Sequence, residues 1–149
     1  MYNHHGYFDQ VIDHLGKQSM ILLHPCSLVQ ASLPKILAEV PASHLEEMNA
    51  KLKISAELAF ERFSKIPGIK PVKSSAAMYM MVRIDPDAFD IANDVDFCTK
   101  LLAEQNAFCL PGACFSDRNM FRIITCCKPE TIQDFADRLQ TFCLAHSKQ

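Results

Sequence analysis

The chain has 149 residues, of which 49% are hydrophobic and 21% charged, with a formal net charge of -2. That balance is of one globular domain with a real core and speaks against a disordered or fibrous chain. Its lysines and arginines are scattered without interleaved aromatics, which argues against a nucleic-acid partner.

The first six residues are polar, and Met20 to Leu23, the longest apolar run nearby, is too short for a signal core or a membrane span. A cytoplasmic protein with no membrane partner is therefore expected. Tyr7 to Lys17 reads as a short helix, with Phe8, Val11, Ile12 and Leu15 at helical spacing and Gly16 near its end. A second helix is expected from Ser27 to Ala38, strained or restarted at Pro34 and closed before Pro41. Ser43-His44-Leu45-Glu46 has the form of a capping box, and Leu45, Met48, Leu52, Ala56, Ala59 and Phe63 then draw one apolar stripe along a third helix. Core packing is the plain account of that stripe.

Beyond Pro67-Gly68 the pattern changes to strands, at Ile69 to Val72 and at Met78 to Ile84, the latter ending in the turn Asp85-Pro86-Asp87. Asp94 is placed to cap a helix through Gln105, with Val95, Cys98, Leu101 and Leu102 on its inner face. Strands are expected at Ala107 to Leu110 and Met120 to Cys126. Lys128-Pro129-Glu130 then opens a last helix whose buried stripe is Ile132, Phe135, Ala136, Leu139, Phe142 and Cys143. Helices followed by β-β-α-β-β-α predict an α/β layered domain, a small sheet covered by helices.

Seven cysteines do not make a disulfide framework here, because the number is odd and the neighbours Cys126 and Cys127 point to opposite strand faces. Reduced thiols fit better. No Cys-x-x-Cys is present, and His24-Pro25-Cys26, Cys109/Cys114 and His4-His5 lack zinc spacing, so no metal site is expected.

Arg122 is the first candidate site residue, a full charge inside the otherwise apolar Met120 to Cys126, sharing a face with Met120, Ile124 and Cys126. Its planar fork suits a substrate carboxylate, and the plainer alternative is an internal ion pair at a strand end. Tyr79 is the second candidate, as a ring and hydroxyl near a ligand or as an ordinary core-edge tyrosine. Lys65, before Ile66-Pro67-Gly68, resembles a Schiff-base lysine beside a turn, but at a helix end it is a cation favoured by the helix dipole. Gly112 reads as a turn glycine.

Read in order, further segments carry a resemblance. They are His24-Pro25-Cys26-Ser27 through Leu33, Ile66-Pro67-Gly68 through Val72, Ser75-Ala76-Ala77-Met78-Tyr79 through Val82, Asn93-Asp94-Val95-Asp96-Phe97, Leu102 through Leu110-Pro111-Gly112, and Phe121-Arg122-Ile123. Over essentially the whole chain this set resembles the C-terminal part of the tyrosine aminotransferase family, class I pyridoxal-phosphate aminotransferases of fold type I. The resemblance implies that residues 1–41 lead from an absent large domain and that 42–149 are the small C-terminal domain. It implies that Arg122 binds the α-carboxylate of an amino acid or oxo acid, while Tyr79 stays a substrate-binding candidate on its own residue type and place in the strand. The complete enzyme would be a homodimer, cytoplasmic or mitochondrial, that uses pyridoxal 5'-phosphate to pass an amino group from tyrosine to 2-oxoglutarate in amino-acid catabolism.

The family's cofactor lysine, the aspartate paired with the pyridine nitrogen and the stacking aromatic would all lie upstream of this chain. No catalytic residue is therefore expected within it, nor stable cofactor binding by it alone. Two further departures stand out: Ala76 replaces a family glycine, and His24 stands where the family has glycine before Pro-Cys. An added methyl at Ala76 is harmless at negative φ and costly at positive φ, and His24 would crowd a domain junction. A stand-alone carboxylate-binding or regulatory domain, or a truncation without function, are the alternative readings.

Overall fold

The computed structural model describes residues 5–21 and 25–148. His24, the expected source of crowding, and His4 lie outside the described residues. The chain divides into two compact units, residues 1–44 and 45–149.

The first unit contains α1 (Asp9–Ser19) and α2 (Ser27–Glu39). The first helix begins two residues later than its periodicity predicts, after Phe8, with Asp9 at its positive end. The second runs unbroken through Pro34. Proline there removes one backbone donor, and of the two outcomes expected, strain or a restart, the restart does not occur. Every described residue of this unit is exposed, including the stripe residues Val11, Ile12 and Leu15 and the apolar Leu28, Leu33, Ile36 and Leu37.

α3 (Ala42–Phe63) starts in the first unit and supplies its buried positions, Ser55, Ala59 and Phe63, to the second. The helix begins ahead of Ser43, so this serine sits inside the first turn and the expected capping box does not form. Only the C-terminal half of the expected stripe is packed, since Leu45 and Met48 remain exposed.

The second unit is a four-stranded antiparallel sheet of β1 (Ile69–Pro71), β2 (Tyr79–Ile84), β3 (Leu110–Pro111) and β4 (Met120–Ile124), in the order β1-β2-β4-β3. Its helices are α4 (Asp94–Gln105) and α5 (Pro129–Ala145), and a single 3₁₀ turn, Gly112–Phe115, follows β3. The expected α/β layering of a small sheet covered by helices is present.

Alternation along β2 sends Met80, Val82 and Ile84 inward and leaves Tyr79 and Arg83 exposed. Inward residues meet Phe121 and Ile123 of β4, Ala59 and Phe63 of α3, Phe97, Cys98 and Leu101 of α4, and Ile132, Ala136, Leu139, Phe142 and Cys143 of α5. Phe97 lies at the centre, its ring centroid 5.1 Å from Phe142, 5.6 Å from Phe121 and 5.8 Å from Phe89. The stripe expected on α5 is the observed one, with Phe135 at its half-buried margin.

α4 buries Cys98 and Leu101 of its expected face, but not the other two residues. Val95 and Leu102 are exposed, and Phe97 takes the core position. The cap is Asn93, whose side chain accepts the Asp96 amide at 3.0 Å, while Asp94 is the buried first helical residue. Arg138 donates to the Gln105 carbonyl at 2.7 Å, tying α5 to the end of α4.

Strand limits are tighter than expected. β3 comprises only Leu110 and Pro111, since Ala107 and Cys109 are buried without ladder pairing, and β4 stops at Ile124. Gly68 has φ +78° and a Cβ there would lie 2.6 Å from that of Ala88, so this turn requires glycine.

Candidate functional site

The helices cover one face of the sheet, and Arg122 belongs to the other. Its backbone pairs with Met81 on one side and Leu110 on the other, at the middle of β4. Period-two alternation places Arg122 with Ile124, which is exposed. Met120 on the same face is buried, because the 3₁₀ turn folds over that end: a Cβ on Gly112 would lie 2.9 Å from the Met120 carbonyl oxygen and 3.0 Å from its Cβ. Arg122 therefore stands at the border between covered and open sheet, half-buried.

Two aromatic rings flank the guanidinium. Its Cζ lies 4.4 Å from the Tyr79 ring centroid and 4.3 Å from that of Phe115, within cation–π range. Tyr79 is a diagonal cross-strand neighbour, since it pairs with Ile124 while Arg122 pairs with Met81. Phe115 comes from the last position of the 3₁₀ turn. That turn is anchored by the buried Asp94 carboxylate, which accepts the Ala113 amide at 2.8 Å.

Among the described residues, Arg122 makes no ion pair and no side-chain hydrogen bond. The internal ion pair offered by the sequence as the plainer account is thus not formed. A half-buried fork of five donors held only by ring faces is chemically suited to an incoming carboxylate, which can accept two parallel N–H bonds. A cavity of about 190 Å³ adjoins it, lined by Arg122, Phe108, Ile124, Cys127, Thr131 and Phe135 among others.

Sequence reasoning names Arg122 and Tyr79, and the structure brings them together. It does not name Phe115, because a single 3₁₀ turn after Pro111-Gly112 carries no periodic signal. Gly112 itself is needed for space rather than for a left-handed turn, as a Cβ would lie 2.2 Å from the Asp117 carbonyl oxygen. Ala76 escapes the cost foreseen at positive φ, and it is the neighbouring Ala77, at φ 63°, that adopts the left-handed region. Lys65 lies just beyond α3 and pairs with Glu61 at 2.6 Å, both side chains exposed.

A larger, open depression of about 720 Å³ lies at the start of α4, lined by Asn93, Asp94, Asp96, Arg118 and Asn119 among others. Its acids are already engaged: Asp94 by Ala113, and Asp96 by Lys100 at 2.9 Å and the Ala92 amide. The Lys100 hydrogen bond and the Ala92 amide hold the Asp96 carboxyl below the ordinary carboxylate range. That depression is a satisfied surface and a weaker candidate.

All seven cysteines are free thiols. Cys98 and Cys109 lie with Sγ atoms 3.3 Å apart in the core, where their mutual hydrogen bond and burial push the Cys109 thiol far up. Burial raises Cys143 to about 12. No three histidine, cysteine or acidic side chains converge among the described residues, and no helix there is long and apolar enough to cross a membrane.

The family model for aminotransferase class I and II matches residues 6–139. The tyrosine aminotransferase of Mus musculus is 37% identical over 139 residues, covering 93% of this chain and 31% of the relative. That of Caenorhabditis elegans is 36% identical over 149 residues, covering 100% of this chain and 32% of the relative. Among solved structures, the tyrosine aminotransferase from Leishmania infantum matches with a TM-score of 0.76 at 26% identity, over 80% of this chain and 30% of that one. The alanine aminotransferase from Pyrococcus furiosus, at 22% identity, shows the same fold with a TM-score of 0.76 over 94% of this chain and 35% of that one. The chain thus spans about a third of the length of the relatives it matches. Taken with the resemblance carried by its ordered segments, this places it plainly: the chain belongs to the class I and II aminotransferases.

Proposed function

We propose that these residues are the carboxylate-binding C-terminal part of a pyridoxal-phosphate-dependent aminotransferase, with Arg122 as the anchor for the α-carboxylate of both amino and oxo acid. The observation that carries this reading is the half-buried guanidinium on the open sheet face, unengaged by any carboxylate among the described residues. Tyrosine is the proposed amino donor, on the strength of the tyrosine aminotransferases of mouse and nematode, and 2-oxoglutarate the proposed acceptor, as the family resemblance implies.

In this reading residues 42–149 form the small domain, and residues 1–41 lead from a larger part of a homodimeric polypeptide. The exposed apolar positions of α1 and α2, such as Val11, Leu15, Leu33 and Leu37, support it, because such faces are ordinarily covered.

Pyridoxal phosphate would supply the electron sink for amino transfer. The described residues do not fit that group, since Lys65, the lysine whose setting most invites the comparison, is tied to Glu61 at the surface. This chain's own contribution is binding and orientation. The Arg122 fork fixes one end of the substrate, and the ring faces beside it exclude water from the charged contact.

A second reading, carboxylate binding without catalysis, has in its favour that Arg122, Tyr79 and Phe115 all belong to residues 45–149. One experiment separates the two. The polypeptide is isolated from its source cells with an antibody against residues 43–63, sized, and assayed for amino transfer from tyrosine to 2-oxoglutarate. A mass far above 16.8 kDa together with transfer is the expected result. A 16.8 kDa species that binds oxo acids without transferring an amino group would support the second reading instead.

A further inference from the structure

We infer that Phe115 and Tyr79 are positioning residues that select a planar carboxylate at Arg122 over a tetrahedral oxyanion of the same charge. This rests on the reading of Arg122 as a carboxylate anchor and assigns the device that gives the anchor its geometry.

The guanidinium carbon lies 4.3 Å from one ring centroid and 4.4 Å from the other, and no ring contact joins Tyr79 to Phe115. Each ring turns its face to the guanidinium carbon, Tyr79 from β2 and Phe115 from the 3₁₀ turn, and in the arrangement we infer they leave the N–H edge for a ligand. An arginine on an open sheet face otherwise explores many rotamers, and confinement by rings removes that freedom before the ligand arrives. A carboxylate can lie in the guanidinium plane and accept two parallel N–H bonds. A sulfonate or phosphonate places an oxygen out of that plane, toward a ring.

Both supports are themselves fixed. Tyr79 is held in the β2–β4 ladder opposite Ile124. Phe115 rides on the turn pinned by Asp94 to the Ala113 amide at 2.8 Å and packed so closely at Gly112 that no Cβ fits. Each ring is 40% exposed, so removing either one does not open the core. The contact uses ring faces, and the Tyr79 hydroxyl is not required for it.

The test is made on the complete polypeptide that carries this chain, by steady-state kinetics with tyrosine and 2-oxoglutarate. The competitive inhibitors are 3-phenylpropionate and 2-phenylethanesulfonate. Phe115→Leu and Tyr79→Leu are each expected to raise KM for both substrates about three- to fivefold with kcat unchanged, the pattern of lost uniform binding. Each is also expected to narrow the preference for the carboxylate inhibitor. The ring-retaining Phe115→Tyr and Tyr79→Phe are expected to restore both, which a merely structural role would not require. Thermal melts of all four, with Phe115→Met as a second truncation, identify any loss of fold.

If the leucine and methionine variants keep KM and inhibitor preference while Arg122→Ala raises KM, the positioning role is overturned and the anchor stands. If Arg122→Ala leaves KM unchanged, or the unaltered polypeptide binds neither 2-oxoglutarate nor 3-phenylpropionate, the anchor fails and this inference with it.

Discussion

The Asp94 carboxylate accepts the Ala113 amide at 2.8 Å, joining the first residue of α4 to the turn that carries Phe115. Asp94 is 4% exposed, so the contact is shielded from water. Removing the acceptor leaves a backbone donor without its partner, at a cost of about 1–3 kcal/mol. Asp94→Ala is expected to lower stability by that amount in urea denaturation, and Asp94→Asn, which keeps an acceptor oxygen, by less. Equal losses for the two would show that charge rather than the hydrogen bond matters.

Gly112 and the alanines before β2 make a contrasting set. Gly112→Ala places a methyl 2.2 Å from the Asp117 carbonyl oxygen, a backbone atom that cannot rotate away. A loss of about 3 kcal/mol or more is expected from that overpacking, read as a shift in the denaturation midpoint. Ala77→Gly relieves an alanine at φ 63° and is expected to be neutral or stabilising by up to about 1 kcal/mol. Ala76→Gly, where φ is not positive, is expected to destabilise by about 0.4–1 kcal/mol through the freer unfolded chain.

Phe97 contacts three other rings and is fully buried. Phe97→Ala is expected to cost about 3–5 kcal/mol. A double-mutant cycle with Phe142→Ala is expected to be non-additive, because the rings meet edge to face at 5.1 Å. Additive losses would show that the aromatic cluster does not act as a unit.

The thiols are expected to titrate in opposite directions. The backbone amides of Val29 and Leu28, at the start of α2, lower the exposed Cys26 thiol below its ordinary value, so its thiolate fraction is substantial at a lower pH than that of a free cysteine. Burial raises Cys143 to about 12 and pushes Cys109 up as well. In mass spectrometry of iodoacetamide-treated protein, Cys26 is expected to be alkylated early, at a rate that rises with pH from below the usual cysteine range. Cys98, Cys109 and Cys143 are expected to react only after unfolding. Alkylation of Cys143 in the native protein near neutral pH would contradict its place in the core.

Legibility in the sequence followed periodicity. The α5 stripe, from Ile132 to Cys143, repeats over a helix of 17 residues and was readable because one face meets the core along its length. α4 was readable as a helix but only in part as a face: Val95 and Leu102 fit the period as well as Phe97 does, and only the packing of Phe97 on Phe121 and Phe142 decides between them. Arg122 was visible because a charge in an apolar strand is anomalous at the level of single residues. Its companion Phe115 was not, since it comes from a four-residue turn whose direction is set by Asp94, 19 positions before the amide it holds. Gly112 was legible as glycine but not for its reason, which is the close approach of the Asp117 and Met120 backbones.

The role of Arg122 is tested most directly by its own removal. In the complete polypeptide, Arg122→Ala is expected to raise KM for tyrosine and for 2-oxoglutarate at least about tenfold, the effect of losing a charge-assisted bidentate contact. Arg122→Lys, which keeps the charge but not the fork, is expected to recover only part of it. Michaelis constants unchanged for both substrates in Arg122→Ala would contradict the account.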